Sequence, residues 1–111
     1  MHHMLSWFDL KEGHRIEDFQ RDYQELVERL REKDLVVSTG PLGERDSNSC
    51  LDTDNERNQR FFAILSFRDK EQSEAAYEEI MGNSGPSIAP HNAIINGVEN
   101  PVFLFWEDLS I

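Results

Sequence analysis

Two segments of this 111-residue chain are apolar at odd and even positions alike, and this limits the possible folds more than any other feature. In Phe61-Phe62-Ala63-Ile64-Leu65-Ser66-Phe67 and in Val102-Phe103-Leu104-Phe105-Trp106, large side chains would point to both faces of a sheet, so neither face is built for water. Whatever folds around these strands has to cover both sides of them. The length suits a single domain over residues 1–111 with a core of ordinary size.

The remaining periodicities supply the other elements. Residues 4–10, with Trp7 and Phe8, predict a first strand that ends at the polar turn Lys11-Glu12-Gly13-His14. From Ile16 the apolar residues recur at steps of three and four (Phe19, Tyr23, Leu26, Val27, Leu30), the stripe of a helix over 15–33. Its acids come early and Arg29, Arg31 and Lys33 late, as the helix dipole favours. Residues 35–39 predict a short second strand, interrupted by Gly40-Pro41-Leu42-Gly43. The polar stretch 44–58 reads as a mobile loop before a third strand over 60–67. A second helix follows over 69–81, with Asp69 as N-cap and Ala76, Tyr77, Ile80 and Met81 facing inward; Gly82 and Asn83 stop it. Residues 84–92 contain Pro86 and Pro90 and have no period, which predicts a loop or flap; 93–98 is open between a short strand and a turn of helix, and a fourth strand spans 102–107.

Strand, helix, strand, strand, helix, strand is the order of the α+β, ferredoxin-like βαββαβ sandwich, a four-stranded antiparallel sheet with both helices on one face. Two helices cover about one face. The other would expose much of the aromatic content, and the simplest cover is a second copy of the chain, giving a homodimer that pairs through the sheet.

Charge and cysteine usage narrow the partners. Asp and Glu outnumber Lys and Arg by 22 to 11, for a net charge of −11, and such a surface repels phosphate backbones, so nucleic acid is not expected. Cys50 is the only cysteine, in a polar setting with no sign of thiolate activation, and the first residues have neither a basic nor a long apolar region, so a cytoplasmic location is expected. No apolar run approaches the roughly 20 residues that cross a bilayer, so no membrane partner is expected.

Trp7-Phe8-Asp9-Leu10-Lys11, Asp18-Phe19 at the head of the first helix, and His91 seven residues before Val98 with Trp106 and Asp108 beyond resemble a small uncharacterised bacterial family of the dimeric α+β-barrel superfamily, over nearly the full chain. The resemblance implies a ferredoxin-like protomer that pairs sheet to sheet. Within that superfamily it implies activities as different as cofactorless oxygenation, haem binding and isomerisation, so the fold does not choose among them.

No residue cluster forms a catalytic signature. His91, after Pro90 in the irregular segment, is the first candidate: a general base near neutral pH, or a structural histidine bonded to a loop carbonyl. Trp7, Asp9 and Trp106 are the candidate ligand-binding residues, with packed core as the plainer fate of the aromatics. His14 reads as exposed, and His2 and His3 as strand-end residues pointing to opposite faces. No set of ligands has metal-site spacing; Asp52-Thr53-Asp54-Asn55-Glu56 lacks the glycine and distal glutamate of a calcium loop, and no metal or other cofactor is expected. The expected function is a dimer that binds a small organic molecule and transforms it by cofactor-independent acid–base or oxygen chemistry; the alternative is a non-catalytic homodimeric binding or structural module.

Overall fold

Alternation decides which side of each strand is covered. In β4 (Phe61–Phe67), Phe61, Ala63, Leu65 and Phe67 are buried while Phe62, Ile64 and Ser66 are not. β1 (His2–Leu10) runs antiparallel beside it with Phe8 opposite Phe61 and Met4 opposite Leu65, so the even residues of β1 share the covered face. β5 (Val98–Glu107) lies antiparallel on the other side of β1. Two strands of two residues each, β2 (Ser38–Thr39) and β3 (Gly43–Glu44), line the outer edge of β4, giving the order β2-β4-β1-β5 with β3 also on β4. The computed structural model describes residues 1–82 and 88–110.

Helix α1 (Ile16–Glu32) lays Phe19, Tyr23, Leu26, Val27 and Leu30 on the covered face, the stripe read from the sequence, with the Phe19 ring 4.5 Å from that of Phe8. Each such side chain contributes roughly 2 kcal/mol by leaving water. The helix ends where Asp34 turns left-handed (φ 56°) and the Leu35 amide returns to the Leu30 carbonyl at 2.8 Å.

Helix α2 (Lys70–Met81) begins as expected, with the Gln72 amide donating to the Asp69 carboxylate at 2.8 Å. Its inward stripe differs from the prediction. Gln72 and Ala76 are buried, Ile80 is partly so, and Tyr77 and Met81 stand in water at 64% and 53% exposure. The cause is Gln72, whose side-chain amide donates to the Asp34 carbonyl (3.0 Å) and whose side-chain oxygen accepts from the Arg68 amide (2.7 Å). Seating that amide rotates the helix so that residues 72, 76 and 80 face in; Tyr77 and Met81 fall about 100° round the axis.

The segment from 88 onward is helical, contrary to the expected loop over 84–92: α3 spans Ile88–Gly97, and the ambiguous 93–98 is its last turn and the start of β5. Pro90 sits in the first turn, where its missing N–H has no intrahelical acceptor to lose. The predicted stop at Asn83 and the first part of the expected loop lie at 83–87, outside the described residues. α3 packs against α1 and α2, adding a third helix on the covered side.

β5 starts four residues before the predicted fourth strand because it contains a bulge. Trp7 pairs with Val102 but Asp9 pairs with Glu99, so β5 holds one extra residue, and Asn100 absorbs it at φ 52°. Pro101 is tolerated at such an irregularity on an edge strand. The helices stop short of β5. Phe103 and Phe105 point to the covered side and Leu104 and Trp106 to the uncovered side, yet all four keep between 41% and 56% of their surface in water. Among the described residues no helix is long and apolar enough to cross a membrane.

Candidate functional site

The uncovered sheet face is built in cross-strand rows. At its centre Leu5 lies between Ile64 and Leu104, an apolar row. One register step toward the C-terminal end of β1, Trp7 lies between Phe62 and Val102. The Trp7 ring stacks on Phe62 (centroids 5.3 Å apart), its indole N–H donates to the Gln59 carbonyl at 2.7 Å, and the Arg45 guanidinium stands 5.2 Å from its centroid. Arg45 organises the polar segment expected as a mobile loop. Its Nε and Nη2 donate to the two Asp52 carboxylate oxygens, Nη2 also donates to the Asp54 carbonyl at 2.8 Å, and Nη1 to the Arg57 carbonyl. The bond from Arg45 holds Asp52 below the usual carboxylate range; amides of Glu56 and Arg57 together with the Arg57 side chain bring Asp54 down to about 2.

At the other end of the face His3 lies between Ser66 and Trp106. Its ring stacks on Trp106 (5.0 Å), with Nδ1 2.8 Å from Ser66 Oγ and Nε2 2.9 Å from Asp108 Oδ1. That bond is the main cause keeping Asp108 below its ordinary value. His2, its neighbour, points to the covered side and stacks on Phe105 (5.9 Å).

A cavity of about 510 Å³ opens where β1 turns into α1. Asp9, Lys11, His14 and Glu99 stand on its walls, and Leu10 and Phe61 give it apolar surface. Asp9 Oδ1 accepts the Arg60 amide at 2.9 Å, fixing the entry of β4, and the Arg60 side chain pairs with Glu44. His14 is seated against Gly97, where a Cβ would come within 2.9 Å of its Nδ1, so a larger residue there would push the exposed ring aside. Among the described residues no three or more His, Cys, Asp or Glu side chains converge to hold a metal ion.

The four expected site residues do not meet. Trp7 and Trp106 share the uncovered face but belong to rows four β1 residues apart, about 13 Å along the strand. Asp9 lies at the cavity rim. His91 is on α3, half-buried, and burial pushes its imidazole below the ordinary value, so it is neutral at pH 7. It stands six residues up α3 from Gly97, about 9 Å along the axis, on the helix side of the sheet. Sequence reasoning missed Arg45 and His3. Arg45 sits in a polar run with nothing local to mark it, while the alternation that sends His3 and Ser66 to one face was available once the register was known.

No protein-family model matches the chain, and comparison with curated proteins finds no match. Solved structures do match. A protein of Arabidopsis thaliana superposes with a TM-score of 0.75 at 11% identity, covering 100% of this chain and 98% of that one. SnoaB, a cofactor-independent oxygenase from Streptomyces nogalater, gives 0.68 at 11%, covering 99% and 94%. A dimeric ferredoxin-like protein of unknown function from Thermobifida fusca gives 0.60 at 10%, covering 95% and 88%. At these identities what is shared is the fold: the chain has a ferredoxin-like α+β fold.

Proposed function

We propose that the chain is a cytoplasmic homodimer, joined through its uncovered sheet face, that binds a small organic molecule and acts on it by cofactor-independent acid–base or oxygen chemistry. One observation carries the dimer: Ile64 on β4 and Leu104 and Trp106 on β5, on either side of β1, leave large apolar side chains in water on the uncovered face. A two-fold copy would set this face against itself. Fold neighbours from Thermobifida fusca and Bacteroides fragilis are described as dimeric, and SnoaB as a cofactor-independent oxygenase, which supports the reading by analogy of fold.

The cavity at the β1–α1 turn has a volume within the roughly 300–1,000 Å³ range of small-molecule sites. Asp9 is its ligand-binding carboxylate, and Trp7 and Trp106 line the space the dimer encloses. His91, whose imidazole burial pushes below its ordinary value, and His14 on the cavity wall are the candidate proton-handling groups. Light scattering should return twice the 12.9 kDa chain mass at micromolar concentration; the mass of one chain refutes the dimer. A fluorine or thermal-shift screen should then yield a ligand whose affinity falls at least tenfold in Asp9→Asn. Loss of turnover in His91→Ala at unchanged melting temperature keeps His91 as the proton-handling group, and loss in His14→Gln alone moves that role to the cavity wall. The second reading, a non-catalytic module, is favoured by the engagement of both tryptophans, Trp7 by Gln59 and Phe62 and Trp106 by His3. It predicts a dimer for which the screen returns nothing.

A further inference from the structure

Ser66, His3 and Asp108 form a hydrogen-bonded line on the uncovered face, and we propose that it makes Ser66 an acyl-accepting nucleophile toward small carboxylic esters with apolar acyl groups. The hydrogen positions follow from the chemistry. An ionised carboxylate only accepts, so His3 Nε2–H donates to Asp108 across 2.9 Å, and the other nitrogen, Nδ1, is left to accept the Ser66 hydroxyl across 2.8 Å. The same roles operate in serine hydrolases with the two imidazole nitrogens exchanged. His3 is held by packing as well as by hydrogen bonds, since its ring lies on Trp106 and only 16% of its side chain is exposed. The Trp106 ring beside His3, 41% exposed in the end row of the face, supplies the apolar surface against which a short acyl group would lie, clear of the central Leu5, Ile64 and Leu104 row.

The reaction needs only the ester and water. Ser66 Oγ attacks the carbonyl carbon while its proton passes to His3 Nδ1; the ester C–O bond breaks, and the alkoxide leaves with that proton. Water then attacks the acyl carbon, giving its proton to His3; the bond to Ser66 Oγ breaks, and the serine recovers its proton from the imidazole. Asp108 stabilises the imidazolium at each stage. Ser66 lies between the ladders to β1 and β2, so β4 presents no oxyanion hole, a feature that elsewhere accounts for about 10²–10³ in rate. Acylation should therefore be seen more readily than turnover. This inference goes beyond the dimer reading and uses one chain only; in a sheet-to-sheet dimer the line would sit at the end of the strands, where small esters can enter.

The test is covalent labelling of the full chain in a Cys50→Ser background, which removes the exposed thiol as a competing nucleophile. A fluorophosphonate should add one equivalent to Ser66, located by peptide mass spectrometry, and p-nitrophenyl acetate should release a burst of p-nitrophenolate. Ser66→Ala should abolish both, and His3→Gln and Asp108→Asn should each slow labelling at least tenfold, with light scattering and melting temperature unchanged. Absence of an adduct on Ser66, or labelling equally fast in Asp108→Asn, overturns the proposal. Light scattering on the same samples reports the dimer separately, so the two ideas fail independently.

Discussion

Replacing Gln72 with methionine tests the account of α2 directly, because it keeps the volume of a buried side chain and removes its amide. Two groups lose a partner: the Arg68 N–H, bonded at 2.7 Å, and the Asp34 carbonyl, bonded at 3.0 Å. A buried polar group left unpaired costs about 1–3 kcal/mol, and because Asp34 and Arg68 are themselves exposed the low end of that range applies, about 1–1.5 kcal/mol each and about 2–3 kcal/mol in all. For a chain of this length 1 kcal/mol moves the melting temperature by roughly 4 °C, so the variant should melt about 10 °C lower. Calorimetry and urea unfolding at fixed protomer concentration would check this, with the urea midpoint falling and the slope unchanged. A loss below about 1 kcal/mol would mean that water replaces the amide and that the roll of α2 has another cause.

Leu104→Glu places a charge at the centre of the uncovered face and should convert the dimer to single chains or to insoluble protein, whereas an unchanged dimer by light scattering places the interface elsewhere. Tyr23 is buried against Thr39, and burial raises its phenol to about 12 from an ordinary 10, so folding stability is full below pH 10 and declines as pH rises toward 12, by roughly 2 kcal/mol. In Tyr23→Phe that decline in urea stability should largely vanish. Arg45→Met should raise hydrogen exchange of the Glu56 and Arg57 amides at least about tenfold, the factor for losing even one of the four charge-assisted hydrogen bonds Arg45 makes, and unchanged exchange would show that Arg45 does not hold the loop.

The layout of the sheet was legible because β4 announces itself by a continuous apolar run and α1 by its period, the stripe its spacing predicts. What stayed hidden depended on partners far away in sequence. Gln72 is polar and reads as surface until Asp34, 38 residues earlier, is seen beside it. Pro90 reads as a loop residue because a proline in the first turn of a helix looks locally like one outside it. Candidate sites were the least legible part. Trp7 and Trp106 are on one face as alternation requires, but the helical state of 88–97 sends His91 to the other side of the sheet, and no local signal distinguished the two outcomes. His3 and Asp108 are 105 residues apart and meet only because β1 and β5 pair in one particular register.

The two borders of the sheet are unequal, and that inequality bears on how many copies can join. Along β4 the outer border is occupied by β2 and β3, each two residues long, with Gly40 and Pro41 between them and nothing flat to template another chain. Along β5 ten residues end the sheet, and among the described residues β1 is the only strand paired with them. A chain with two adhesive borders can add neighbours without limit and grow into fibres. One whose single long border is itself broken by the Asn100 bulge and Pro101 offers no such route, so the proposed face-to-face pairing would not be extended through the sheet edges.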